Sequence, residues 1–292
     1  MSFKIVYNGY EIDNTNGVKI YNMAGVDSVE IRTSEDYLTG TDGGAIWEQF
    51  YGMRTITLEG SIVGDDASDY FAKKAQLVEA FSLNGEKDLT ITKWDGTHRK
   101  IPARTIGMPD IAERRDEPST YCTFQVQLRC PTPFFQDDGF TSTIDISGVG
   151  GYPVGQWTEV EEEDGEFDTT TGMPIETPVP FTNDFVDINV LGQVNTNPVY
   201  EIHGNITNPS VRNITTGQFF SVNTTVSNGE ILTVQLQDGV TSARKNGANM
   251  INFFNGHFIP LVPGVNTLRL TGSTFSGGVK CDVTYRNNYL SL

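Results

Sequence analysis

The sequence predicts a mainly β protein of two domains, each a sandwich or split barrel, with one helix in the first. Three observations carry that reading. Apolar residues alternate with polar ones in short runs, and Asn, Gly and Pro turn signals interrupt the runs at roughly eight- to twelve-residue spacing. One segment alone keeps a helical period. The chain has 292 residues, about two domains' worth, and a proline cluster divides it before the midpoint.

In the first domain, Phe3 to Tyr7 alternates and stops at Asn8-Gly9, a dipeptide that favours a two-residue hairpin turn, before Tyr10 and Ile12 begin the return. Val18 to Tyr21 and Val29 to Arg32 read as two further strands. The stretch from Ser34 to Ala45 holds Thr39, Gly40, Thr41, Asp42, Gly43 and Gly44. Such composition reads as a long surface connection that touches a partner. Ile56, Leu58 and Ile62 then alternate past Gly60, which marks a bulge or a close backbone approach. Asp66 or Ser68 caps the predicted helix. Its apolar positions Phe71, Ala75 and Val78, with Leu77 and Phe81, read as core contact, and Asn84-Gly85 ends it.

Leu89 to Trp94 and Arg99 to Ile106 follow as strands about the turn Asp95-Gly96-Thr97-His98, and Met108 to Thr120 reads as a loop. The cleanest strand is Tyr121 to Cys130, with Cys122, Phe124, Val126, Leu128 and Cys130 inward. Pro131-Thr132-Pro133 stops it, so the first domain is taken as 1–133 and the second as 134–292.

The second domain opens with an acidic segment. No Lys or Arg occurs between Cys130 and Arg212, while residues 157–177 are crowded with carboxylates. A block of like charge repels itself, so this is read as an exposed loop. Asp164, Glu166 and Asp168 are spaced to hold a cation, but the rest of an EF-hand pattern is missing, and no metal site is assigned. Tyr152 and Trp157 nearby are the candidate glycan contacts, since an exposed aromatic can stack on a sugar ring. From Asn195 to Leu236, Asn-Pro and Asn-Gly turns release short strands with Tyr200, Ile202, Ile206, then Phe220, Val222, Val226, then Leu232, Val234, Leu236 on one face. Ile251 to Phe254, Phe258 to Leu261, Thr267 to Leu270 and Val279 to Tyr285 complete some eight strands from Phe181 onward. That number suits a jelly-roll, galectin-like β-sandwich.

Composition narrows the function. Net charge is −17, a surface that repels nucleic-acid phosphates. No signal-like or membrane-length apolar stretch is present, so membrane insertion is not expected. Three cysteines, Cys122, Cys130 and Cys281, do not make a disulfide framework. Cys122 and Cys130 on one strand lie roughly 26 Å apart at about 3.3 Å per residue. They read as small buried side chains of a protein made in a reducing compartment. His98, His203 and His257 sit in no catalytic motif, and neither catalytic residues nor a cofactor are assigned.

The run NPVYEIHGNITNPSVRNITTGQFF, with NGEIL and PGVNTLRL after it, resembles the C-terminal domain of the distal tail proteins of long-tailed bacteriophages (siphophages). Two further features are similar to that family. Gly52, Arg54, Ile56, Leu58, Gly60 and Ile62 follow a long loop, and YCTFQVQLRC leads into the proline-aromatic exit PTPFFQDD. The acidic segment is longer and more charged than a minimal member needs. The resemblance implies a homo-hexameric ring in the virion tail tip. That ring joins the tail tube protein to the tail-tip hub protein, carries a receptor-binding protein or fibre, and lets genome DNA pass without specific binding. It also implies synthesis in the host bacterial cytoplasm, and contact between subunits through Thr39 to Gly44. The alternative is a glycan-binding adhesion module acting through Tyr152 and Trp157.

Overall fold

The structure is a computed structural model and describes residues 3–37, 42, 44–83, 85–113, 120–146, 184–237, 240–275 and 278–292. It is mainly β and divides into two units, one of residues 1–138 with 288–292 and the other of residues 139–287.

The first unit runs through Lys4–Tyr7 (β1), Tyr10–Ile12 (β2), Val18–Ala24 (β3), Ile31–Tyr37 (β4), Gly44–Tyr51 (β5) and Arg54–Val63 (β6) to the helix Ala67–Ala80 (α1). Lys87–Thr92 (β7), His98–Thr105 (β8), Asp110–Glu113 (β9), Tyr121–Cys130 (β10) and Phe135–Gln136 (β11) follow. The main sheet is ordered β2-β1-β7-β8-β10-β6-β3. Its first turn is the one expected, with Asn8 at φ 50° and Gly9 at φ 78°, the left-handed pair that a tight antiparallel turn needs.

At the centre, β10 pairs with β6 along its whole length, and Cys122, Phe124, Val126, Leu128 and Cys130 are all buried. Gly60 lies opposite Phe124 in that register. A Cβ there would stand 2.3 Å from the Lys19 carbonyl oxygen and 2.5 Å from the Phe124 ring. Across from Gly60 the register of β3 slips between Ile20 and Asn22, so the glycine serves both a bulge and a close approach.

Asp66 caps α1 by accepting from the Asp69 amide at 2.8 Å. Leu77 and Phe81 are buried as expected, but they are joined by Tyr70 and Ala80, while Phe71 and Ala75 are exposed and Val78 is half-buried. Phe71 is 61% exposed. Tyr70 takes the core position because its hydroxyl donates to Glu113 at 2.8 Å, and Lys74 reaches the same carboxylate at 2.7 Å. That site exists because Asp110 to Glu113, expected as loop, is strand β9 on the edge of β10.

The second unit begins with Phe140–Ile146 (β12), Phe185–Val190 (β13), Val199–His203 (β14), Ile206–Thr207 (β15), Ser210–Asn213 (β16), Phe219–Val222 (β17) and Thr225–Val226 (β18). Ile231–Gln237 (β19), Val240–Lys245 (β20), Ala248–Asn249 (β21), Phe254–Gly256 (β22), Gly264–Thr271 (β23), Thr274–Phe275 (β24) and Val279–Tyr285 (β25) complete it. One sheet is ordered β12-β25-β14-β19-β20-β21, the other β13-β23-β16-β17-β22, and a small third sheet is β18-β15-β24. Tyr200, Ile202, Leu232 and Val234 from the first sheet and Val211, Phe220, Val222 and Leu268 from the second share one core. Tyr200 meets Phe220 edge-on at 5.2 Å, and its hydroxyl donates to the Ile259 carbonyl at 3.1 Å. Two expected strands are different: Ile251–Phe253 is a 3-10 turn, and Phe258 to Leu261 forms no strand, its one ladder contact among the described residues being a bridge between Thr196 and Leu261.

A deeply buried polar site anchors the turn into β23. The amide of Asn266, itself fully buried, donates to the Val262 and Gly264 carbonyls at 2.7 and 3.1 Å. Its oxygen accepts from the Val262 amide and from the side chain of buried Asn213, both at 3.0 Å. Every donor and acceptor of one side-chain amide is thereby used.

After β25 the chain returns to the first unit, where Asn288–Tyr289 (β26) pairs with β11. The sequence-based boundary had placed these last residues in the second domain. They are held by local bonds: Arg99 lies 3.8 Å over the Tyr289 ring, and the Tyr289 hydroxyl donates to Asp137 at 3.2 Å.

All three cysteines are free and buried. Burial pushes the Cys130 thiol up to about 12 and raises that of Cys281 further. A thiol-reactive dye at pH 8 should therefore label no cysteine in the native protein and three after unfolding in guanidinium. Fast labelling of the native protein would show that one strand of a core opens readily.

Candidate assembly surface

Strands β4 and β5 form a two-stranded sheet that pairs with no other strand among the described residues. The sequence had read most of this span as loop. Glycines dominate its tip, and charged residues interrupt the alternation on either side. Ile31 pairs with Tyr51, Arg32 with Phe50, Thr33 with Gln49 and Ser34 with Glu48. The register then slips, and Trp47 is the extra residue of a bulge.

Among the described residues neither face of this hairpin is covered. Residues 31–36 are all exposed, and from Gly44 to Tyr51 only Ala45 is half-buried. Trp47 is 71% exposed, Ile46 63%, Ile31 59% and Phe50 56%. A hairpin without a third strand or a packed face is marginally stable in water, and large apolar side chains left exposed on both its faces mark a place of contact.

The root of the hairpin, by contrast, is firmly held. The Gly52 amide donates to the Glu30 carbonyl at 2.6 Å, and Tyr51 meets Phe134 edge-on at 5.4 Å. Two residues on, Arg54 is 1% exposed. Its Nε donates to Pro133 at 2.8 Å, Nη1 to Gly25 at 3.0 Å and to Val26, and Nη2 to Leu290 at 2.5 Å, all backbone carbonyls. The Phe135 ring lies 4.8 Å from the guanidinium carbon. Burial pulls its pKa down from the ordinary arginine value, opposed by Cys130 and Asp27. Four carbonyl dipoles and one ring face solvate the charge in place of water.

Of the residues expected at the subunit contact, Asp42 is exposed at the tip and Gly44 opens β5. Thr39, Gly40, Thr41 and Gly43 lie outside the described residues, as do Tyr152, Trp157, the acidic segment 157–177 and its carboxylates Asp164, Glu166 and Asp168. Among the described residues no cluster of His, Cys, Asp and Glu could hold a metal, and no helix is long and apolar enough to cross a membrane. Each histidine has its own neighbours. His98 lies 2.7 Å from Asp138 in the first unit, His203 lies 3.3 Å from Asp282 in the second, and the His257 amide donates to the Phe219 carbonyl. Sequence reasoning missed Ile31, Ile46, Trp47 and Phe50 as contact residues. The available signal was WEQFY, three aromatics in five positions just after a glycine-rich stretch.

The family comparison speaks to both units. The model described as a phage tail protein RIFT-related domain matches residues 7–130, and the one described as a siphovirus-type tail component, C-terminal domain, matches residues 191–289. The chain belongs to the siphophage distal tail family. No curated protein matches it. Among solved structures, the crystal structure of phage SPP1 Dit (gp 19.1), described as a paradigm of hub adsorption apparatus in Gram-positive infecting phages, aligns with a TM-score of 0.65. The identity is 14%, over 99% of this chain and 100% of that one, a likeness of fold. A chain of the phage P2 baseplate in its activated conformation with Ca covers 100% of this chain and 99% of its own length at 8% identity, with a TM-score of 0.47. This distal tail protein is thus a structural component of the phage tail. Its uncovered hairpin lies within the segment matched by the RIFT-related model.

Proposed function

We infer that this distal tail protein is the subunit of a homo-hexameric ring in the virion tail tip. The ring joins the tail tube protein to the tail-tip hub protein and carries a receptor-binding protein or fibre. The chain is made in the host bacterial cytoplasm and assembles there. The observation that supports the ring most strongly is the hairpin of β4 and β5, whose apolar side chains stand exposed among the described residues. A neighbouring copy supplies their cover.

A closed ring needs a heterologous contact, in which one patch of each copy meets a different patch of the next. The hairpin is one patch. The edge of β3, last in its sheet and carrying Tyr21 at 63% exposure, offers unpaired backbone and an aromatic for the other. A net charge of −17 suits a channel that passes DNA without holding it.

Mass photometry over a dilution series tests the reading. A species of about six copies is expected for the wild type. Replacing Trp47 and Phe50 together by Ser should shift it to monomer, because each buried aromatic contributes about 1.5–3 kcal/mol at every contact. A chain that stays monomeric alone and in assembled particles sinks the ring. Ring formation unchanged by the double substitution, or by deletion of residues 39–44, removes the hairpin or its tip from the contact.

A further inference from the structure

The outer face of the second unit's five-stranded sheet carries a row that its register makes exact. Phe185 pairs with Arg269, Arg269 with Arg212, and Arg212 with Phe219. Paired residues on neighbouring strands point to the same face. The residues that follow these four along their strands alternate inward: Val186 is half-buried, and Leu270, Asn213 and Phe220 are buried. The row therefore stands outward across four strands, roughly 14 Å from one phenylalanine to the other at about 4.8 Å per strand.

Its charge is unusual for this chain. Two guanidiniums stand directly opposite each other, an arrangement that ordinarily destabilises a sheet. Asp184 accepts from Arg269 Nε at 2.6 Å. Arg212 is exposed and, among the described residues, has neither an ion pair nor a side-chain hydrogen bond. Phe185 is 51% and Phe219 40% exposed. Asp184 thus serves Arg269 and leaves Arg212 without a carboxylate, and a flat apolar side chain stands at each end of the row.

The geometry points to a docking site for a partner protein that presents a carboxylate between apolar side chains. The carboxylate would pair with Arg212, completing the charge balance that Asp184 leaves half done, and the flanking apolar groups would rest on Phe185 and Phe219. Arginine and aromatic residues are the types enriched where protein interfaces concentrate their energy, and guanidinium binds carboxylate through two parallel bonds. A long polyanion fits less well, because a chain of net charge −17 repels it everywhere outside this small row. The site stands independently of ring formation, since it lies in the second unit and the hairpin in the first.

Fluorescence anisotropy tests it, with a short labelled peptide alternating glutamate and leucine as the probe. The wild-type protein should bind this peptide at least about tenfold more tightly than either the glutamine counterpart peptide is bound or the R212Q variant binds the original. Binding should weaken as salt rises, and Phe219→Ser should weaken it as well. Arg212 is exposed, so an unchanged unfolding midpoint for R212Q will show that the loss is one of contact. Three results overturn the proposal: binding indifferent to R212Q, tighter binding of an oligoglucuronate than of the peptide, or binding that appears only once residues 157–177 are deleted. The second would assign the row to an acidic glycan, the third to the chain's own carboxylates.

Discussion

Replacing Arg54 by Met should cost the first unit about 3–5 kcal/mol, the range for removing one side of a buried charged network. The methionine fills much of the same volume, so packing against Phe135 survives in part. What is lost is the fork of donors that reaches Gly25, Val26, Pro133 and Leu290. The buried Val26 carbonyl and the half-buried carbonyls of Gly25, Pro133 and Leu290 then lose the Arg54 donor. Arg54→Lys should recover little, because a single ammonium cannot span carbonyls on three separated segments. Hydrogen exchange read by mass spectrometry suits the measurement, since two units need not unfold together. Faster exchange should appear in β6 and in residues 24–27 and spare the second unit. If lysine restores full protection, point charge is what matters there and the fork geometry does not.

Asn266→Leu should cost the second unit about 2–4 kcal/mol, from buried polar groups left unsatisfied. The leucine is near in size, but it takes the partner from the Val262 amide, the Val262 and Gly264 carbonyls and the Nδ2 of Asn213. Asn266→Asp is expected to be at least as harmful. It keeps the acceptor, loses both donors, and sets a carboxylate against two carbonyl oxygens in a buried place. Exchange should quicken in β23 and β16 and leave the first unit unchanged. An aspartate variant as stable as the wild type at pH 7 would mean that water enters the turn, and would undo the claim that one amide closes it.

Much of the fold was legible because period and turn chemistry are local. Tyr121 to Cys130 reads as a strand from its own ten residues, and Asn8-Gly9 turns the chain without help from elsewhere. The misreadings share a different cause, in that each depends on residues far away in sequence. Tyr70 rather than Phe71 faces the core because Glu113 waits for its hydroxyl. Asp110 to Glu113 becomes a strand only because β10 has an open edge beside it. The hairpin was half legible: its glycines showed a surface excursion, but nothing in Ile31 to Tyr51 tells whether its apolar residues are packed by the same chain. The docking row was not legible at all, because Phe185, Arg212, Phe219 and Arg269 are brought level by register alone.

The return of the chain to its first unit also sets an order of events on the ribosome. Arg54 and three of its acceptors are synthesised by residue 133, but the fourth, the carbonyl of Leu290, comes 157 residues later. At roughly 5–20 residues per second, the intervening stretch takes about 8–30 s to make. During that interval β11 lacks β26, and the guanidinium has one donor without its acceptor. A nascent first unit is therefore incomplete until Leu290 has been added, by which time the whole second unit has been synthesised as well.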